Sequence, residues 1–174
     1  VSLDRIVAVD CETTGFARHD RIVEIAAVEL DVNSGDVVDE FESLVNPMRG
    51  VGPTHVHGIS QSMVEAAPTF EELVDTLVPR LHGATLVAHN LPFDVRFLRQ
   101  ELERAGVAFH PGNGYCTYRA TKLTLSQACA HFGIPYETQH RALVDARVTA
   151  RLAAALHPRI PVLANASTGC RISS

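Results

Sequence analysis

The stretch Val7-Ala8-Val9-Asp10-Cys11-Glu12-Thr13-Thr14-Gly15-Phe16 decides how this chain is read. The apolar run from Ile6 to Val9 has the length and composition of a short buried strand, and it ends abruptly in Asp10-x-Glu12. Side chains alternate along a strand, so residues two apart point the same way. Two carboxylates are thereby presented together at the end of a buried strand, where Thr13-Thr14-Gly15 bends the chain away. Like charges held that close repel, and desolvation raises their energy further. A divalent cation is the usual reason to tolerate such a pair. Alone, a DxE reads more simply as the solvated mouth of a loop; what tips the balance comes later, at Asp94, His140 and Asp145.

Working outward, residues 4–10 read as the first strand. Residues 21–31 read as a second, apolar on both faces and therefore central, and residues 37–45 as a third with one polar face. The turn Asn33-Ser34-Gly35-Asp36 makes these an antiparallel meander. Ser60 and Thr69 are candidate helix N-caps. Thr69 forms a capping box with Glu72 ahead of a helix over 70–81, and Pro79 threatens the last turn of that helix. Residues 84–88 form a short buried strand that leads through His89-Asn90-Leu91-Pro92-Phe93-Asp94 into a helix ending at Gly106. A fifth strand falls near 107–109 or near 115–117. Thr124 caps a helix through Phe132, and residues 141–156 carry the strongest helical pattern in the chain. The expected architecture is α/β: a mixed five-stranded sheet, three antiparallel strands and then parallel ones, flanked by helices. Residues 1–157 read as one domain and 158–174 as a C-terminal tail or linker.

A chain of 174 residues with 46% hydrophobic content can bury a sizeable core, which excludes a disordered protein. No apolar run approaches the roughly 18 residues of a membrane span, so no membrane partner is expected. Cys11, Cys116, Cys129 and Cys170 lack any C-x-x-C spacing, which argues for reduced thiols and a cytoplasmic location. The chain begins at Val1 and not Met, as one part of a longer polypeptide would. The net charge of −5 hides an asymmetry. Residues 1–75 carry 15 acids against 4 bases, and residues 76–174 carry 5 against 11. A basic second half and a metal-neutralised acidic site would meet a polyanion; two solvated faces of opposite sign would give the same count.

Asp94 falls in the first turn of its helix, where the helix dipole alone favours an acid. Asp145 sits among Ala142, Leu143, Val144 and Ala146, apolar company in which an acid needs a partner, and His140 just precedes that helix. Together, Asp10-x-Glu12-Thr13-Thr14-Gly15, His89-Asn90-x-x-Phe93-Asp94 and His140-x-Ala142-x-x-Asp145-Ala146 resemble the three exonuclease motifs of the DEDDh family, in order and spacing. The nearest likeness is to the epsilon-type proofreading exonucleases of bacterial DNA polymerase III, and His57-Gly58-Ile59 resembles that group too.

The resemblance implies a ribonuclease H-like fold and 3′→5′ hydrolysis of DNA ends to nucleoside 5′-monophosphates. It also implies two Mg²⁺ or Mn²⁺ ions. Asp10 would bridge them, Glu12 and Asp145 would complete the first site, Asp94 would hold the second, and His140 would act as general base. The expected substrate contacts are Thr13, Thr14 and the turn at Gly15, with Phe16 either stacking on the last base or folding onto the core. His57 is expected beside the sugar and Phe93 at the border of the cleft, with His89 and Asn90 supporting the site. Expected partners are single-stranded or frayed DNA 3′ ends, with a polymerase or further domains of a longer chain. RNA trimming and a non-catalytic nucleic-acid-binding domain are the competing readings.

Overall fold

Five strands form one mixed sheet in the order β3-β2-β1-β4-β5. They are β1 (Ile6–Thr13), β2 (Ile22–Leu30), β3 (Val37–Leu44), β4 (Thr85–Ala88) and β5 (Gly114–Cys116). β1 runs antiparallel to β2 and parallel to β4; β2–β3 is antiparallel and β4–β5 parallel. Seven helices complete the described chain: α1 (Thr54–His57), α2 (Gln61–Val64), α3 (Phe70–Leu81), α4 (Leu91–Arg104), α5 (Thr117–Thr121), α6 (Leu125–Phe132) and α7 (Ala142–Leu156). This computed structural model describes residues 5–31, 34–111, 114–136 and 140–156. The expected tail over 158–174 lies outside them.

The period-2 alternation of β1 sorts its side chains onto two cores. Val7, Val9 and Cys11 pack with Leu77 of α3 and Leu98 of α4 on one face of the sheet. Ile6 and Ala8 pack with Ala146, Ala150 and Leu152 of α7 on the other. The small residues of α7 let its backbone lie close against β1 and β2. β2 is buried along nearly its whole length, as a central strand covered on both faces must be.

The structure departs from the sequence reading in a few places. β1 continues to Thr13, because β2 pairs with it through Asp10↔Ala26 and Glu12↔Glu24; both acids therefore lie within the strand. β4 stops pairing with β1 at Ala8, which leaves the Asp10–Thr13 segment without a strand on that side. α3 runs through Pro79 to Leu81, because proline removes a single backbone bond while Leu77 and Leu81 stay anchored in the core. The fifth strand is 114–116; Val107 and Phe109 pack on the core without joining the sheet. The short helices α1 and α5 carry too few residues for a periodic signal. Thr124 accepts from the Gln127 N–H while its own N–H donates to the Gln127 side chain, the reciprocal cap expected of that sequence.

Candidate active site

The acids converge where β1 outruns β4. Asp10 and Glu12, of the same parity as Ile6 and Ala8, face α7. Asp94, in the first turn of α4, reaches the open edge of β1 from the opposite face of the sheet. Its Oδ1 accepts the Cys11 N–H at 3.0 Å, at a position where no β4 residue pairs. Asp145, in the first turn of α7, accepts from the Tyr136 hydroxyl at 2.7 Å and from the His140 N–H at 3.2 Å. Ligand atoms of Glu12, His140 and Asp145 lie within 4.8 Å of one another. Asp10 and Asp94 flank that trio in a cleft of about 830 Å³.

Two ion pairs, each between a buried carboxylate and a partly exposed arginine, hold these helices on β2. Glu24 of β2, fully buried, accepts from Nε and Nη2 of Arg141 and from the Ala142 N–H, which fixes the start of α7. Glu101 of α4, also buried, accepts from Arg21 Nε and the Ile22 N–H, which fixes α4. Immediately before Glu24's clamp, His140 has a left-handed φ of 59° and donates its N–H to Asp145. Non-glycine residues hold that conformation only where their surroundings enforce it.

The electrostatics are those of uncompensated acids. Burial, then the charge of Asp94, holds the Asp10 carboxyl well above the ordinary carboxylate range. Burial, with Asp145 and Glu24 nearby, pushes Glu12 to about 7. Burial pushes Asp94 to about 8 despite the N–H bond from Cys11. Burial also raises Asp145, against the opposing bonds from Tyr136 and His140. A set of hard carboxylate oxygens that resist ionisation together fits a divalent cation.

The remaining sequence-predicted residues take distinct places. Gly15, Phe16, His57, Asn90 and Phe93 line the cleft. Phe16 is 77% exposed at its lip, its ring 6.0 Å from that of Phe93. Thr13 lines the cleft too, but its hydroxyl donates to the Gly15 carbonyl. Thr14 lies behind the wall: its hydroxyl donates to Asp20 and accepts the Arg21 N–H, closing the loop 14–21. Gly15 leaves room there for the Asp20 carboxylate, which accepts from the Thr14 hydroxyl and the Ala17 N–H; a Cβ would stand 2.5 Å from it and force it to shift. Gly52, at φ +81°, allows backbone to pass against Thr14. His57 is buried, accepting the Ile59 N–H at Nδ1 and facing the Val51 carbonyl with Nε2, so burial lowers its pKa. His89 pairs Nδ1 with the Thr117 hydroxyl.

Sequence reasoning missed Tyr136, Glu24 and the Glu101–Arg21 pair. Glu24 carried a signal, an acid inside a strand apolar on both faces. Tyr136 carried none, being one aromatic in a proline-containing loop.

Comparison with known proteins places these features in a family. Residues 7–153 match the family described as Exonuclease, RNase_T. The chain is 35% identical to the DNA polymerase III subunit epsilon of Treponema pallidum over 163 residues, covering 83% of this chain and 73% of that protein. It is also 35% identical to the PolC-type DNA polymerase III of Clostridium perfringens over 159 residues, covering 86% of this chain but 11% of that protein. The chain thus spans about a tenth of the PolC-type relative's length. Among solved structures, exonuclease X in complex with 5′ overhanging duplex DNA superposes with a TM-score of 0.69 at 28% identity, covering 88% of this chain and 92% of that one. With its ribonuclease H-like sheet and its carboxylates gathered at the end of β1, this chain belongs to the exonuclease (RNase_T) family.

Proposed function

We propose that this chain is a divalent-metal-dependent 3′→5′ exonuclease that removes nucleoside 5′-monophosphates from single-stranded or frayed DNA 3′ ends. The observation that carries the reading is the convergence of Asp10, Glu12, Asp94 and Asp145, from one strand and two helices, with His140 in one nucleotide-sized cleft. Asp10 would be shared between two ions, with Glu12 and Asp145 on one and Asp94 on the other. Mg²⁺ or Mn²⁺ suits such oxygen donors, and the pair would supply Lewis-acid stabilisation of phosphate charge and activation of water.

The chain's own residues divide the other tasks. An imidazole nitrogen of His140 takes the proton of the attacking water, close to Glu12 and Asp145. Tyr136 and the His140 N–H orient Asp145, and the Cys11 N–H orients Asp94. Phe16 and Phe93 offer aromatic faces at the cleft's lip, where the terminal base stacks whatever its identity. His57, with both nitrogens engaged, presents a neutral ring edge beside the sugar. DNA is favoured over RNA by the epsilon-type relative and by the DNA bound to exonuclease X. A polymerase, or further domains of a longer chain, is the proposed partner.

The test is digestion of end-labelled DNA and RNA oligonucleotides of equal sequence, with Mg²⁺, with Mn²⁺ and with chelator. Mononucleotide should be released from DNA 3′ ends only with metal, and circular single-stranded DNA should resist. Asp10→Asn should lose several orders of magnitude, and His140→Ala about 10²–10⁴-fold at neutral pH. Cutting of the circle, or a fully active Asp10→Asn, overturns the assignment.

A further inference from the structure

A second groove of about 530 Å³ begins at Arg96, whose guanidinium lies over the ring of cleft-lining Phe93. Its walls are Arg96, Arg99, Gln100, Glu103 and Arg104 of α4, with Arg18 from the β1–β2 loop. The α4 residues recur at i, i+3, i+4, i+7 and i+8, so they form one stripe along the helix that carries Asp94. The loop follows the same helix: Phe16 meets Phe93 near its start, and Arg104 donates to the Arg18 carbonyl at its end. Four guanidinium groups against one lining carboxylate make this a strongly cationic channel next to a strongly anionic cleft.

Arg96 stands at the junction. Its guanidinium carbon lies 5.6 Å from the centroid of Phe93, which lines the cleft, and 4.7 Å from that of Phe97 in the core. Its Nε is buried without a hydrogen-bond partner, and the guanidinium is held in place by the faces of the two rings. Arg104 is tied to Glu101 at 3.4 Å. From Arg96 to Arg104 the helix rises about 12 Å, enough for a few phosphates of an extended strand.

We propose that this groove carries the backbone phosphates of the substrate strand on the 5′ side of the bond being cut. The inference rests on the exonuclease reading of the cleft. A strand whose 3′ nucleotide lies against Phe16 and Phe93 continues past Phe93 into the groove, where planar guanidiniums grip phosphate oxygens without reading bases. The groove therefore makes short substrates poor and long ones good, and it offsets the repulsion between a polyanion and the acidic cleft.

Three substrates separate the groove from the catalytic cleft: the p-nitrophenyl ester of thymidine 5′-monophosphate, a dinucleotide, and a twelve-nucleotide single strand. Wild type should show kcat/KM rising at least about tenfold from dinucleotide to the twelve-mer, in low salt where phosphate contacts count most. Arg18→Gln/Arg99→Gln should remove most of that rise and leave the ester and the dinucleotide unchanged. Anisotropy binding of the labelled twelve-mer in Ca²⁺ gives a second readout: the slope of log K against log salt should flatten by about 1.4, the worth of two phosphate contacts on a single strand. Arg18→Lys/Arg99→Lys should restore the slope. An unchanged length dependence and slope in the Gln variant overturns the proposal. If wild type releases no mononucleotide from the twelve-mer while the slopes still differ, the exonuclease reading falls, and with it the placement of the groove on the 5′ side of a cut bond.

Discussion

In the absence of metal, raising the pH should unfold this protein more easily, and the window follows from the cleft. A carboxyl whose folded pKa is raised contributes stability that is intact below its ordinary value, near 4, and lost as pH climbs through the folded value. Glu12 at about 7 and Asp94 at about 8 spread that loss from the ordinary carboxyl range up to about pH 8, with its upper part inside the range of ordinary buffers. Between pH 6.5 and 8.5 the two groups together give up about 2–3 kcal/mol, with Asp94 the larger share, since each tenfold change in proton activity across an unmatched titration is worth about 1.4 kcal/mol. His57 and His89, whose pKa values burial lowers, act with the opposite sign, but only below about 6.5, where the unfolded chain takes up their protons. A chain of this size should therefore melt roughly 5–10 °C lower at pH 8.5 than at 6.5 in chelator. Millimolar Mn²⁺ should shrink that difference, because the ion binds the ionised carboxylates and at about 100 times its Kd adds roughly 2.7 kcal/mol per site. Asp94→Asn should flatten the chelator curve. The measurement is a set of thermal melts at both pH values with and without Mn²⁺; a chelated wild type that melts at the same temperature, or higher, at pH 8.5 refutes the crowding of these acids.

Three further outcomes follow from single contacts. Tyr136→Phe removes the hydroxyl on Asp145 and should weaken metal affinity about 10–100-fold while leaving the far-UV circular dichroism unchanged, as titration of activity against Mn²⁺ will show. Glu24→Gln keeps the side chain's shape but uncouples Arg141, so melting should fall by an amount equivalent to about 1–3 kcal/mol and kcat should drop more than KM rises; a variant with wild-type Tm and kcat would show that the clamp does not position α7. Gly15→Ala drives a methyl into Asp20 and should lower Tm by several degrees and expose the 14–21 loop to proteolysis, whereas Gly58→Ala, with open space around its Cβ but φ +72°, should cost only about 1 kcal/mol.

The sequence alone determined the longer elements and the chemical groups. Alternating strands, the Thr69 and Thr124 caps, the small-residue face of α7 and the Asp10-x-Glu12 pair are local properties, set by side-chain period, turn chemistry and a spacing of two along a strand. What the order of residues could not carry was which faces meet. β4 halts its pairing at Ala8, and that halt leaves an edge of β1 open for the Asp94 carboxylate to cap. The Thr14 hydroxyl reads like a substrate contact in sequence but closes its own loop on Asp20 and Arg21, because a buried hydroxyl takes the nearest partners the fold provides. Tyr136 on Asp145, Glu24 under Arg141 and the arginine stripe facing Arg18 are all long-range or cross-element pairings. Each depends on the packing of α4 and α7 against opposite faces of one sheet, which only the tertiary structure decides.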